Sequence, residues 1–340
     1  MTDPSLAALG WDDFFSEQTR DRECSPARVT SVHRKQVSAH RAEGPIALTL
    51  DPGTSTATIA VGDWVLCDPE ASLLLERLDR RTVLQRGREY ATGARQLIAA
   101  NLDTLFIVTS CNADFNVARL ERYLALAFDA GVAPVILLTK ADKAEDVGDY
   151  VTQAQALGAE LPVLALNAKG DDVAERLATW CAPGRTVALV GSSGVGKTTI
   201  SNALTGQTAA TQGIREDDAR GRHTTTGRSL HILPKGGLLI DTPGMRGLGV
   251  ADVSEGIDAT FPEISALAEH CRFRDCKHEA EPGCAVLAAV EAGEVDEGRL
   301  QRYRKLRRED AVATETVAET HARKRRLSRN VTAAVKKKRR

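Results

Sequence analysis

The residues best suited to chemistry lie in one nine-residue stretch, Gly191-Ser192-Ser193-Gly194-Val195-Gly196-Lys197-Thr198-Thr199. It fits G-x-x-x-x-G-K-[ST], follows the apolar run Thr186-Val187-Ala188-Leu189-Val190 and precedes the helical pattern Ile200-Ser201-Asn202-Ala203-Leu204. That strand–loop–helix setting separates a phosphate-binding loop from a chance Gly/Ser turn. The glycines let successive backbone N–H groups converge on phosphate oxygens, and the following helix adds the positive end of its dipole. Lys197 would pair with the β- and γ-phosphates, and the Thr198 hydroxyl would ligate Mg²⁺. The stretch reads as a nucleoside triphosphate site.

Two shorter patterns indicate which base is bound. Thr139-Lys140-Ala141-Asp142 ends the apolar run Val135-Ile136-Leu137-Leu138 and fits [NT]-K-x-D. A carboxylate at Asp142 would accept hydrogen bonds from guanine N1–H and N2–H₂. Adenine offers neither and would leave it unpaired, which is how a polar site rejects the wrong substrate. The Lys140 stem would lie over the purine face. Asn167-Ala168-Lys169 ends the next apolar run and could bring a backbone N–H to guanine O6.

At the γ-phosphate the candidates are Asp241-Thr242-Pro243-Gly244, a D-x-x-G at the end of a strand pattern. Asp241 would hold Mg²⁺ through water, and the Gly244 N–H would meet the γ-phosphate. In Ras-like enzymes a Gln after this motif orients the attacking water. Met245 stands there instead, so turnover by the chain alone is expected to be slow. His223, in the polar segment 211–226, is the candidate to position the water, its alternative role being contact with an RNA phosphate. Thr225, in preference to Thr224, would add a second hydroxyl on the Mg²⁺ side.

A separate cluster, Cys271, Cys276, His278 and Cys284, gives C-x₄-C-x-H-x₅-C. Four such ligands suit a closed tetrahedral Cys₃His zinc site, which is structural because no coordination position stays open. His270 is the alternative imidazole, less well spaced. The remaining cysteines are scattered and read as ordinary small residues.

These candidates need elements to position them. The chain has 340 residues, 42% apolar and 27% charged, ordinary for a globular protein. No run approaches the roughly 18 apolar residues that span a membrane. The start, Met1-Thr2-Asp3-Pro4, lacks a signal-peptide pattern, so a cytoplasmic protein without membrane contact is expected. The absence of an exposed apolar repeat suggests a monomer. The net charge of −1 hides an asymmetry: residues 301–340 hold 15 Lys/Arg against 4 Asp/Glu. That basic end suggests a polyanionic partner.

Residues 1–26 form an arm with an amphipathic patch at Leu9, Trp11, Phe14 and Phe15. Short β-runs separated by turn residues over 27–90 suggest a small OB-type barrel, a common nucleic-acid platform. Within a domain of residues 91–250, the chain alternates strand and helix from Asn101, which means a parallel sheet with helices on both faces. Helices are expected over 117–130, 146–157 and 171–180 there. Residues 251–310 read as a small helical metal-binding domain, with helices over 285–292 and 297–308, and 311–340 as a basic tail. The guanine patterns at 139 and 167 precede the phosphate loop at 191, whereas ordinary GTPases place them after it. Sites need spatial rather than sequential adjacency, so the domain reads as a circularly permuted P-loop GTPase.

The permuted order, the barrel, Ala100-Asn101-Leu102-Asp103, Gly221-Arg222-His223-Thr224-Thr225-Thr226, Asp241-Thr242-Pro243-Gly244 and the Cys/His cluster together resemble the ribosome small-subunit-dependent GTPase A family. The resemblance spans roughly residues 27–310. It implies an OB-fold barrel, a permuted GTPase and a zinc-binding helical domain. It also implies late maturation of the small ribosomal subunit, with GTP hydrolysis to GDP and phosphate stimulated by that subunit. Thr139 stands where the family usually has Asn, whose amide would tie this loop to the phosphate loop, and Asn167 where it usually has Ser. Each departure is expected to loosen guanine binding by about 1 kcal/mol. Arg323-Lys324-Arg325-Arg326 and Lys336-Lys337-Lys338-Arg339-Arg340 would bind ribosomal RNA with steep salt dependence. The competing readings are a nucleotide-switched RNA-binding module in which hydrolysis is incidental, and a P-loop ATPase.

Overall fold

A computed structural model describes residues 3–20, 25–51, 55–68, 70–88, 95–207, 228–241 and 251–314. The chain divides into two compact units, residues 1–85 with 97–248 and residues 86–96 with 249–340.

In the first unit the arm forms two short helices, α1 (Pro4–Ala8) and α2 (Asp13–Glu17), capped by the carboxylates of Asp3 and Asp12. Gly10, at φ +86°, turns the chain between them. Leu6, Leu9, Trp11 and Phe15 are buried, while Phe14 faces outward beneath the Arg81 guanidinium.

Five strands follow: β1 (Ser25–Val32), β2 (Val37–Arg41), β3 (Gly44–Leu48), β4 (Trp64–Asp68) and β5 (Leu73–Arg77). They pair antiparallel in the order β3-β2-β1-β4-β5, and a parallel bridge between Thr49 and Leu73 joins the two ends into a ring. Alternation along β4 sends Val65 and Cys67 into the barrel with Val29, Ala39 and Leu48. Trp64 points the other way and packs on Trp11 and Phe15, so it is buried under the arm.

Arg28 of β1, only 1% exposed, joins three segments. Its guanidinium donates to the Leu9 carbonyl (3.3 Å), the Asn101 carbonyl (3.0 Å) and the Thr186 hydroxyl (3.2 Å), and lies over the Trp64 ring. Burial pushes its pKa down to about 10, which leaves it charged at neutral pH.

After β6 (Val83–Arg88) and β7 (Arg95–Ala100), which pair in a two-stranded sheet, the strand–helix alternation begins. It comprises β8 (Thr104–Ser110), α3 (Val117–Asp129), β9 (Ala133–Thr139), α4 (Val147–Gln155), β10 (Val163–Ala165), α5 (Val173–Arg176), β11 (Thr186–Gly191), α6 (Lys197–Thr205), β12 (Ser229–Ile232) and β13 (Leu238–Asp241). The sheet order is β10-β9-β8-β11-β13-β12, parallel except for β12. Ser229 of β12 also pairs with Ser31 of β1, so the barrel and the parallel sheet are continuous. The central strands β8 and β11 are buried on both faces, as expected of strands covered by helices. The helix expected over 171–180 is regular only at α5. Beyond it, Ala178 and Trp180 donate to carbonyls three residues back, so the segment continues as tight turns that still bury Leu177 and Cys181.

The second unit holds α7 (Ser254–Thr260), α8 (Pro262–Ala268), α9 (Ala285–Glu291) and α10 (Glu297–Thr314) around Ile257, Phe261, Ile264, Val286, Leu300, Tyr303 and Leu306. The last helix runs six residues past the expected 308. The buried Asp310 carboxylate accepts the Val253 N–H (3.0 Å) and the Thr314 hydroxyl accepts the Asp252 N–H (2.9 Å), which anchors the extra turns. Among the described residues no helix is long and apolar enough to cross a membrane.

Candidate functional site

The phosphate loop folds as its residue types require. β11 delivers Gly191 at φ +145°, and Gly194 and Gly196 take φ +75° and +101°, where a side chain is strained. A Cβ on Gly191 would stand 2.1 Å from the Val108 carbonyl oxygen, so only glycine lets β11 run this close to β8 here. Val195, Ile200 and Leu204 anchor the loop and α6 in the core with Phe106, Val108 and Leu189. Ser193, Gly194 and Thr198 remain exposed, with Thr199 half-buried. No side chain caps the first turn of α6, so its N–H groups face whatever occupies the loop. The Lys197 ammonium donates to the Gly191 carbonyl (2.8 Å) and also contacts that of Ser192, which holds the charge across the loop.

The guanine patterns arrive at the same place. Thr139, fully buried at the end of β9, has its hydroxyl 2.5 Å from the Val195 carbonyl oxygen and 3.1 Å from that of Thr109. A Cβ on Gly196 would lie 3.5 Å from the Ala168 Cβ and 3.6 Å from the Thr139 side chain. The phosphate loop, the loop after β9 and the loop after β10 thus meet around Gly196. The tie expected to be lost with Thr in place of Asn is therefore present, made by a hydroxyl. Lys140 adopts a left-handed conformation (φ 57°) that turns the chain into a short 3₁₀ turn carrying Asp142, which is exposed. Three residues span at most about 11 Å, so Asp142 sits within reach of the loop to which Thr139 is bonded. Asn167 uses its side-chain oxygen to accept the Lys169 N–H (3.0 Å), which fixes the turn that presents Ala168.

Asp241 is exposed at the end of β13, the neighbour of β11 on the side away from β8. Ala188 pairs with Ile240, so Asp241 stands two residues below Gly191 along the adjacent strand. His223, Thr224, Thr225, Gly244, Met245 and residues 315–340, with both basic runs of the tail, lie outside the described residues.

In the second unit the Sγ and imidazole nitrogen atoms of Cys271, Cys276, His278 and Cys284 all lie within 4.8 Å of one another. Cys271 Sγ is 3.7 Å from Cys284 Sγ and 3.6 Å from His278 Nδ1, and His278 Nδ1 is 3.4 Å from Cys284 Sγ. A tetrahedron with metal–sulfur bonds of about 2.3 Å and metal–nitrogen bonds of about 2.1 Å has edges of about 3.6–3.8 Å. The triangle of Cys271, His278 and Cys284 has edges close to that size, and Cys276 completes the group within 4.8 Å. Burial draws the His278 pKa down, favouring the neutral imidazole that ligates metal. His270, the alternative imidazole, does not belong to the group.

Two residues without a motif organise these sites. The Glu281 carboxylate accepts N–H bonds from Lys277 (2.9 Å), Glu279 (2.7 Å) and Ala280 (3.0 Å), shaping the loop that carries His278. The Lys277 amide first, with the other amides, holds its pKa at about 2. Arg119, in the first turn of α3, contacts the Ser192 hydroxyl of the phosphate loop. A Glu directly before a Pro-Gly turn and a basic residue at a helix start carry no distinctive signal in sequence.

Comparison with known proteins adds the following. The family model described as RsgA GTPase matches residues 77–251, just over half of the chain. A model described as ABC transporter matches residues 175–333, a span that includes the phosphate loop but not the pattern at 139–142. A relative from Mesorhizobium japonicum named small ribosomal subunit biogenesis GTPase RsgA is 56% identical over 309 residues, 89% of each chain. One of the same name from Streptomyces coelicolor is 40% identical over 333 residues, 94% of this chain and 90% of its own. The crystal structure of YjeQ from Thermotoga maritima superposes with a TM-score of 0.62 at 26% identity, covering 83% of this chain and 97% of that one. The structure of YloQ, described as a circularly permuted GTPase, gives 0.60 at 23% identity over 87% and 98%, a likeness of fold alone.

Proposed function

Because the chain belongs to the RsgA GTPase family, we propose that it hydrolyses GTP to GDP and phosphate, with Mg²⁺, while acting in maturation of the small ribosomal subunit. One observation carries the GTP reading: the base-selecting and phosphate-binding loops converge on Gly196, held by the Thr139 hydroxyl on the Val195 carbonyl. In this reading Gly191 to Thr199 cradle the phosphates, with Lys197 on the β- and γ-oxygens and Thr198 on Mg²⁺. Asp142 reads the guanine donors, Lys140 covers the base and Ala168 presents its amide to O6. Asp241 would hold Mg²⁺ through water.

Hydrolysis also needs an oriented water, and Met245 cannot supply a hydrogen bond to it. His223 is assigned that role, with Thr225 on the Mg²⁺ side. The test is turnover of His223→Ala with and without small subunits. A loss confined to the stimulated rate supports the assignment, and an unchanged stimulated rate removes it.

The Cys₃His cluster is assigned to structural zinc. The five-stranded barrel is assigned to the OB class, whose β1–β2 turn is a common oligonucleotide contact. Here that turn exposes His33, Arg34 and Lys35. With the basic tail it would give a monomeric cytoplasmic protein a salt-sensitive grip on ribosomal RNA. The domains in this reading are the arm (1–26), barrel (27–90), permuted GTPase (91–250), zinc domain (251–310) and tail (311–340). The main alternative, a nucleotide-switched RNA-binding module with incidental hydrolysis, rests on Met245. It requires phosphate release that added subunits leave unchanged.

A further inference from the structure

Arg119 stands where helix energetics disfavour it. α3 begins at Val117 with Asn116 as N-cap, the Asn116 side chain accepting the Arg119 N–H at 3.0 Å. Arg119 is therefore the third residue of the helix, the position where an acidic residue complements the dipole and a cation opposes it. Its side chain explains the placement. One arm of the guanidinium contacts the Ser192 hydroxyl, and the other donates to the Asp114 carbonyl at 2.7 Å.

The Asp114 anchor is itself fixed. Asn112 accepts the Asp114 N–H (3.0 Å) and the Ser110 hydroxyl (2.8 Å), and Phe115 packs edge-on against Tyr150. Ser192 is the first variable residue of the phosphate loop, and its carbonyl contacts the Lys197 ammonium. Arg119 thus holds by its side chain the same residue whose backbone faces the phosphate-binding lysine.

We propose that Arg119 is a positioning residue for the phosphate loop: its planar fork spans from the rigid β8–α3 turn to Ser192 and keeps the first part of the loop in its nucleotide-binding shape. A lysine cannot replace it, because an ammonium on a flexible stem does not bridge two acceptors in fixed geometry. The loop holds phosphate before and during hydrolysis alike, so losing this support should raise KM and leave kcat unchanged.

The inference rests on the GTP-site reading, which binding of GTP by the unsubstituted chain tests separately. The experiment measures GTP and GDP affinity, subunit-stimulated turnover and thermal unfolding for Arg119→Ala, Arg119→Lys, Ser192→Ala and the Arg119→Ala/Ser192→Ala pair. Expected are about tenfold weaker binding of both nucleotides for Arg119→Ala, a matching rise in KM with kcat within about twofold, and little recovery with lysine. Ser192→Ala, which leaves α3 intact, should weaken binding severalfold, and the double variant should match Arg119→Ala alone because both remove one interaction. Affinity within twofold of the parent in Arg119→Ala, full recovery in Arg119→Lys, or additive losses in the pair would overturn the proposal.

Discussion

Thr139→Val removes a single oxygen from the point where the guanine and phosphate loops meet. The side chain is fully buried, and its one hydroxyl proton lies between the Val195 carbonyl at 2.5 Å and the Thr109 carbonyl at 3.1 Å. Valine preserves the shape but leaves the Val195 oxygen without this donor. Leaving a buried acceptor unsatisfied costs about 1–3 kcal/mol. A penalty near the lower end, about 1.4 kcal/mol, corresponds to a tenfold loss of affinity. GTP and GDP should weaken by the same factor, because the tie lies between the loops and not on the γ-phosphate. Thr139→Ser keeps the hydroxyl and gives up about one methyl's packing, about 0.8 kcal/mol of stability, so its nucleotide affinity should stay within twofold of the parent. Displacement of a fluorescent guanine nucleotide, with a melting curve for each variant, separates the two effects. The reasoning fails if Thr139→Val binds GTP as the parent does, or if serine weakens binding as much as valine.

Three further outcomes follow from the same geometry. Asp142→Asn should lose more than 100-fold in GTP affinity, since an amide cannot accept both guanine donors, and should gain affinity for xanthosine triphosphate; an unchanged ratio between the two nucleotides contradicts the base assignment. Purified protein should release about one zinc per chain on treatment with a strong chelator, with loss of the second unit's helical signal, as for structural zinc sites generally. Cys284→Ser should do the same, and a metal-free chain with unchanged helicity would refute the structural role. Burial raises the Cys181 thiol from its ordinary 9.0 to about 12. The folded state therefore favours the neutral thiol, a contribution complete below pH 9 and lost as pH rises toward 12. Mass spectrometry after alkylation at pH 8 should find Cys181 unmodified until the chain is unfolded, and rapid labelling of the native chain would contradict its burial.

The parts legible in the sequence were those in which chemistry fixes both residue type and spacing. The phosphate loop needs glycine where φ is positive and Lys-Thr at the helix start. Cys271, Cys276, His278 and Cys284, spaced as a metal site needs, converge in one cluster, and Thr-Lys-x-Asp ends a strand. Tertiary partners were not legible. That Thr139 does the work of an amide depends on the Val195 carbonyl, 56 residues away. The extension of α10 to Thr314 depends on the Asp252 and Val253 amides. The helix expected over 171–180 is regular only at α5, because the hydrogen bonds beyond it close tight turns while Leu177 and Cys181 stay buried. Trp64 belongs to the packing of the arm, which no local pattern around it indicates.

The central claim is that a GTP-selective site on this chain is driven by a small ribosomal subunit. The direct measurement is phosphate release from GTP, and from ATP, with and without purified small subunits. Slow release alone, a rise of at least about tenfold with subunits, and no comparable rise with ATP are predicted. Release that subunits leave unchanged, or that ATP supports equally, would contradict the account.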